Sequence, residues 1–193
     1  MIAGVFLAAG QSARFGSDKL LHEVDGRPLA VHSLTAAVNA RLDEIVVVVG
    51  PDASALERAI RAVPGTKEKT RIVINTHPER GMMSSLKRGL RALRPECAAA
   101  MVLLADMPYL SSDLIDRLVE TLEETDGIVI PECEGKLYHP RVIPKRLFSE
   151  FLALGDDEKG QSVIDRHRED IVTLHVEKKA RFIDIDETRD LET

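Results

Sequence analysis

The chain has 193 residues, of which 44% are hydrophobic and 30% charged, enough apolar side chain for one full-sized core beneath a polar surface. A formal charge of -6 argues against a dedicated nucleic-acid binder, whose footprint is a basic face. Cys97 and Cys133 make neither a metal-ligand spacing nor a disulfide framework, and no stretch approaches the roughly 18 apolar residues of a membrane span. One cytoplasmic domain, with neither nucleic acid nor membrane as partner, is therefore expected.

The opening MIAGVFLAA lacks the basic start of a signal peptide and runs straight into polar residues, so Ile2 to Ala8 is read as a buried first strand. A helix follows from about Pro28 to Asn39, with Leu29, Leu34 and Val38 on one face and Pro28 in its first turn. Ile45 to Val49 is a β-branched run suited to a strand covered on both faces. The next helix carries Leu56, Ile60 and Val63 and stops at Pro64-Gly65. Arg71 to Asn75 reads as a strand, Ser84 to Leu93 as a helix, and Ala99 to Leu104 as a central strand. Ser111 and Ser112 are candidate caps for a helix that buries Leu114, Ile115, Leu118 and Leu122. Gly127 to Pro131 makes another strand. Helices near 145–152 and 161–167 and strands near 171–176 and 181–185 complete the pattern. Alternating strands and helices predict a three-layer α/β/α sandwich around a mostly parallel, twisted, Rossmann-like sheet. Ligands on such sheets bind beyond the carboxyl ends of the strands.

The first such end is Leu7, Ala8, Ala9 and Gly10, followed by Ser12, Arg14, Gly16 and Lys19. Small residues let the backbone approach a phosphate closely, Arg14 offers a fork of donors, and Lys19 supplies a mobile point charge. The segment is a candidate triphosphate cradle, against the alternative of an ordinary strand-to-helix loop with solvated cations. Its spacing fits neither the P-loop nor the dinucleotide fingerprint. A second strand end places Asp106 after the apolar run VLLA, at the same edge. A helix cap is the competing role for Asp106, made redundant by Ser111 and Ser112.

LAAGQSARFGSDK resembles the LAAGxSxRFGxxK signature of the molybdenum-cofactor nucleotidyltransferases. GMMSSLKRGL, LLADMPYL, YHPRVI and FIDIDETRDLE are similar to four further segments of that family, in its order and over nearly the whole chain. The resemblance implies a nucleotidyltransferase that moves a nucleoside monophosphate from a nucleoside triphosphate to the phosphate of molybdopterin. It implies Mg²⁺ held by Asp106 and Asp186, with Asp184 as the competing second ligand. DETRDL replaces the family's DTPEDL at that point. One or two carboxylates suffice for Mg²⁺, which keeps waters and phosphate oxygens as its other ligands.

The resemblance also places the base and ribose near Gly81, Ser84 and Ser85, with Asn75 as a further candidate and Ser85 at a helix start. His139 and Pro140 resemble the loop that meets the acceptor, although Tyr138 stands where the family has glycine. The GDDEKGQ run, 155–161, is similar to a stretch that borders the acceptor pocket; the alternative is a solvated charged loop. The LAAG spelling, with Ala9 narrowing the base pocket, favours CTP; guanylyltransferases of the family usually read LAGG. The other readings are a GTP-dependent enzyme, a relative acting on another phosphorylated metabolite, and a non-catalytic molybdopterin carrier. A molybdoenzyme or its chaperone would be the protein partner. The remaining histidines, His22, His32, His77, His167 and His175, show no metal-site spacing.

Overall fold

A computed structural model describes residues 1–10, 19–155 and 158–177. Its strands are β1 (Ile2–Ala8), β2 (Glu23–Val24), β3 (Arg27–Pro28), β4 (Glu44–Val49), β5 (Thr70–Ile74), β6 (Ala99–Leu104), β7 (Ile128–Cys133), β8 (Lys136–Leu137), β9 (Arg141–Pro144) and β10 (Ile171–His175). Its helices are α1 (Leu29–Asn39), α2 (Ser54–Arg61), α3 (Thr66–Lys69), α4 (Met82–Ala92), α5 (Ser112–Thr125), α6 (Phe148–Ala153) and α7 (Gln161–Arg166). The sheet runs β10-β7-β9-β6-β1-β4-β5, with β8 paired to β7. Every pairing along that path is parallel except those of β9, which lies antiparallel between β6 and β7.

β1, β4 and β6 are buried at every position, so the sheet is covered on both faces, which explains why these strands read as unbroken apolar runs. α4 packs against β1 and β4, while α1 and α5 pack on one another. Phe6, Leu29, Leu34, Ile45, Met101, Leu103, Leu114 and Ile115 are the large side chains that fill the layers. At the amino end of β4, buried Glu44 is matched by Arg94 at 3.3 Å and Arg71 at 3.6 Å, and it accepts the Arg94 backbone N–H at 3.0 Å. A carboxylate taken from water needs such partners. Among the described residues no helix is long and apolar enough to cross a membrane.

Several boundaries differ from the sequence reading. Pro28 closes the β2–β3 hairpin and precedes α1, so it is not in the helix's first turn. α4 begins two residues early, at Met82, because Gly81 turns the chain with φ +84° and ψ −176°. Ser85 is therefore the fourth helical residue and does not open the helix. Asn75 lies just beyond β5, and 145–147 form a 3₁₀ turn leading into α6. β9 was read only as part of a motif. The strand expected at 181–185 lies outside the described residues.

Gly89 faces the sheet from α4, where a Cβ would sit 2.3 Å from Val5 Cγ1 and 3.2 Å from Val48 Cγ2. Helix propensity alone favours Ala over Gly by about 1 kcal/mol. Overpacking against a strand costs about 1–3 kcal/mol and opposes it. Gly89→Ala is expected to lower the urea midpoint, whereas a raised midpoint would show that the α4–sheet contact yields freely.

Candidate active site

The carboxyl ends of β1 and β6 meet at one point. Leu7 pairs with Leu104, and the ladder gains a further rung as the Ala105 N–H donates to the Leu7 carbonyl at 3.2 Å. From the other side, buried Ser33 on α1 donates its hydroxyl to the Ala105 carbonyl at 3.2 Å. Ala105 is thereby fixed at both backbone groups, and Asp106 leaves the sheet in a set direction. The cap of α5 is Ser111, which accepts the Leu114 N–H at 3.3 Å, so Asp106 does not serve that role.

Lys19 opens a 3₁₀ turn anchored by buried Leu20, and its Nζ lies 2.9 Å from Asp106 Oδ2. The two side chains are 12% and 27% exposed, a partly desolvated setting in which a charge-assisted bond is strong. Ala8 and Ala9 are buried and Gly10 is exposed; among the described residues a Cβ at Gly10 would meet nothing within 4 Å. Ser12 and Arg14, and likewise Asp184 and Asp186, lie outside the described residues. Among the described residues no group of three His, Cys, Asp or Glu side chains gathers as a metal site.

The second group of candidates forms a polar knot. Buried Asn75 donates through Nδ2 to Ser84 Oγ at 2.8 Å and to Ser85 Oγ at 3.0 Å, while its Oδ1 accepts the His77 N–H at 3.1 Å. Ser84 Oγ also lies within hydrogen-bonding distance of the His77 and Gly81 carbonyls, at 3.0 and 2.8 Å. Both amide donors of Asn75 are spent inside this loop. Its geometry is that of a brace for the segment 76–81 and the start of α4, with no donor left for a base.

His139 and Pro140 stand before β9, joined by a cis peptide bond, and His139 lies on the wall of a cavity of about 470 Å³. Among the described residues Nδ1 of the imidazole is buried without a hydrogen-bond partner. Burial first, then the neighbouring Arg141 cation, pulls the His139 pKa down to about 4 from 6.5. Burial also lowers the pKa of Arg141, an effect that the charge of Asp165 opposes. Arg141, Gln161, Met83 and Phe151 share the cavity wall and were not singled out in the sequence. The signal for two of them was present: Arg141 lies inside YHPRVI and Gln161 ends GDDEKGQ.

The MobA-like NTP transferase domain matches residues 4–171. A probable molybdenum cofactor guanylyltransferase from Haloferax mediterranei is 30% identical over 142 residues, 73% of this chain and 64% of that protein. The purine catabolism protein PucB of Bacillus subtilis is 34% identical over 130 residues, 66% of this chain and 63% of its own length. Both alignments span just under two thirds of the relative. The crystal structure of Rv0371c from Mycobacterium tuberculosis superposes with a TM-score of 0.83 at 26% identity, covering 100% of this chain and 97% of that one.

His139 gives this site a pH signature. The unfolded imidazole titrates near 6.5 and the folded one near 4, so between these values the unfolded chain binds more protons. The contribution of neutral His139 to stability is complete above about pH 6.5 and is lost as pH falls toward 4, by up to roughly 3 kcal/mol. Urea midpoints measured from pH 7 to pH 4 are expected to fall less steeply in His139→Gln than in wild type. Parallel slopes would contradict the burial of this ring.

Proposed function

We propose that this chain, which belongs to the MobA-like NTP transferase domain family, transfers a nucleoside monophosphate from a nucleoside triphosphate to the phosphate of a molybdopterin-type acceptor. The observation that carries this reading is the Lys19–Asp106 pair at the carboxyl edge of the central parallel strands. It sets a cation and a hard oxygen donor side by side where such sheets bind ligands. The names of the guanylyltransferase relatives support a molybdenum-cofactor substrate.

In the reaction an oxygen of the acceptor phosphate attacks the α-phosphorus in line. The new P–O bond forms as the bond to the β-phosphate oxygen breaks, and pyrophosphate leaves with that electron pair. The attacking oxygen is already anionic, so no strong general base is needed, and catalysis rests on position and charge. The backbone of Leu7 to Gly10, with Ser12, holds the triphosphate; Arg14 and Lys19 neutralise the pyrophosphate. Gly81, Ser84 and Ser85 border the base and ribose, and Asn75 braces them.

The donor chemistry of Asp106 fits a divalent cation: its carboxylate is partly open, and only Oδ2 is bonded among the described residues. Asp106 and Asp186 would hold Mg²⁺, and a bound ion supplies charge stabilisation to the α-phosphate and the leaving group. Rv0371c has also been solved with manganese, at a TM-score of 0.77 and 22% identity, covering 99% of this chain and 95% of that one. CTP is the favoured donor, on Ala9, which is buried beside the cradle. GTP is the second reading, favoured by the names of the archaeal relatives. A molybdoenzyme or its chaperone would receive the product.

Pyrophosphate release with CTP and with GTP, in the presence and absence of molybdopterin, tests the proposal. A carrier that only binds the pterin would release none. Lys19→Ala and Asp106→Asn are each expected to lower the rate by about 10²–10³ while remaining folded by circular dichroism. Near-normal turnover in either variant would remove that residue from the mechanism.

A further inference from the structure

The cavity at His139 is walled mostly by carbon, from Met83, Leu86, Ile143, Phe151 and Ile164. Against that apolar lining stand three cationic side chains, Arg80, Arg141 and Lys159, and one carboxylate, Glu158. A pocket so built suits a ligand with an apolar body and an anionic group.

Arg141 is the cation whose geometry is most defined. It opens β9 opposite Val102, and its Nη1 donates to Gln161 Oε1 at 2.8 Å. Gln161 in turn donates through Nε2 to Asp165 Oδ1 at 3.0 Å, one turn further along α7. Asp165 also acts on the guanidinium through its charge. The outer end of the fork is thus held by a relay from α7. The other edge is different: Nε is buried with no partner, and no bond leaves Nη2 among the described residues. Nε and Nη2 point the same way and form the edge that grips two oxygens of a carboxylate or phosphate side by side. A buried N–H of a charged group left unpaired is rare and costly, and a ligand oxygen accounts for it. His139 beside it is neutral at pH 7 and does not compete for the anion.

We propose that Arg141 is the specificity-determining residue of this cavity, which the family resemblance already gives to the acceptor, gripping an oxyanion of that acceptor through Nε and Nη2 while Gln161 and Asp165 hold the guanidinium in place. The acceptor role rests on the nucleotidyl-transfer reading above; the anion grip does not.

Two measurements separate these claims. In the first, inorganic phosphate and acetate are titrated separately into the full chain. The Arg141 Nε–H resonance is followed by NMR and identified by its loss in Arg141→Lys. A saturable downfield shift with either anion is expected, phosphate marking a phosphorylated ligand and acetate a carboxylate. The shift should need at least about tenfold more anion in Gln161→Leu, where the fork is no longer held. Silence with both anions, or an unchanged titration in Gln161→Leu, overturns the grip. In the second, steady-state transfer to molybdopterin is measured. Arg141→Lys and Gln161→Leu are each expected to raise the acceptor KM at least about tenfold while leaving the triphosphate KM within about twofold. Equal changes in both KM values overturn the acceptor assignment. A wild-type enzyme that releases no pyrophosphate sinks the transfer reaction and with it the acceptor role, while the anion titration still decides the grip.

Discussion

The parallel seating of β1 between β4 and β6 is the constraint on which the site depends. Strand side chains alternate in direction, so a slip of one residue would move every side chain of β1 to the opposite packed face. The fit of particular neighbours opposes that slip: Val5 lies under Gly89 of α4, and the next position, Gly4, leaves room for Leu42 and Leu103. With Leu7 locked opposite Leu104 and Ala105 bonded back to Leu7, the position of Asp106 follows from the core itself. Ser33 adds a strut from the helical layer. The chemistry at the edge therefore inherits its precision from apolar packing some residues away.

Two polar regions at this edge are built on opposite principles. At Lys19 and Asp106 opposite charges face each other and largely cancel, so an added anion or cation meets a pair that can part. At Arg141 the charge is half buried, oriented at one end, and unmatched on its inner edge among the described residues. The first arrangement is balanced within the chain; the second is not. On the proposed function both are useful, because neither anionic reactant has to displace the other's partner.

Much of the fold was legible because its main strands are largely apolar runs of five to seven residues and its main helices show a clean apolar face. The strand end at Asp106 was equally plain, since an acidic residue after VLLA has few structural uses. What the sequence concealed was short or depended on tertiary context. β2 and β3 have two residues each, too few for any periodicity. β9 carries only Arg141–Pro144 and hid inside a motif read for chemistry. Asn75 was a candidate through the family resemblance alone; its three hydrogen bonds to Ser84, Ser85 and His77 depend on a loop path that no local pattern announces. Gln161 showed only as the end of the GDDEKGQ run, because its meaning lies in Arg141, twenty residues away.

The reversed strand has a consequence of its own. All the other long strands deliver their carboxyl ends to the functional edge, but β9 delivers its amino end, so the residues that enter it, His139 and Arg141, arrive from the β7–β8 hairpin. The Lys19–Asp106 pair and the His139 cavity thus hang on segments of separate origin: Asp106 follows the parallel core, while His139 follows the β7–β8 hairpin. On the proposed function, lengthening or rewriting that hairpin reshapes the wall that meets the second reactant while the Lys19–Asp106 end, held by the core, stays as it is.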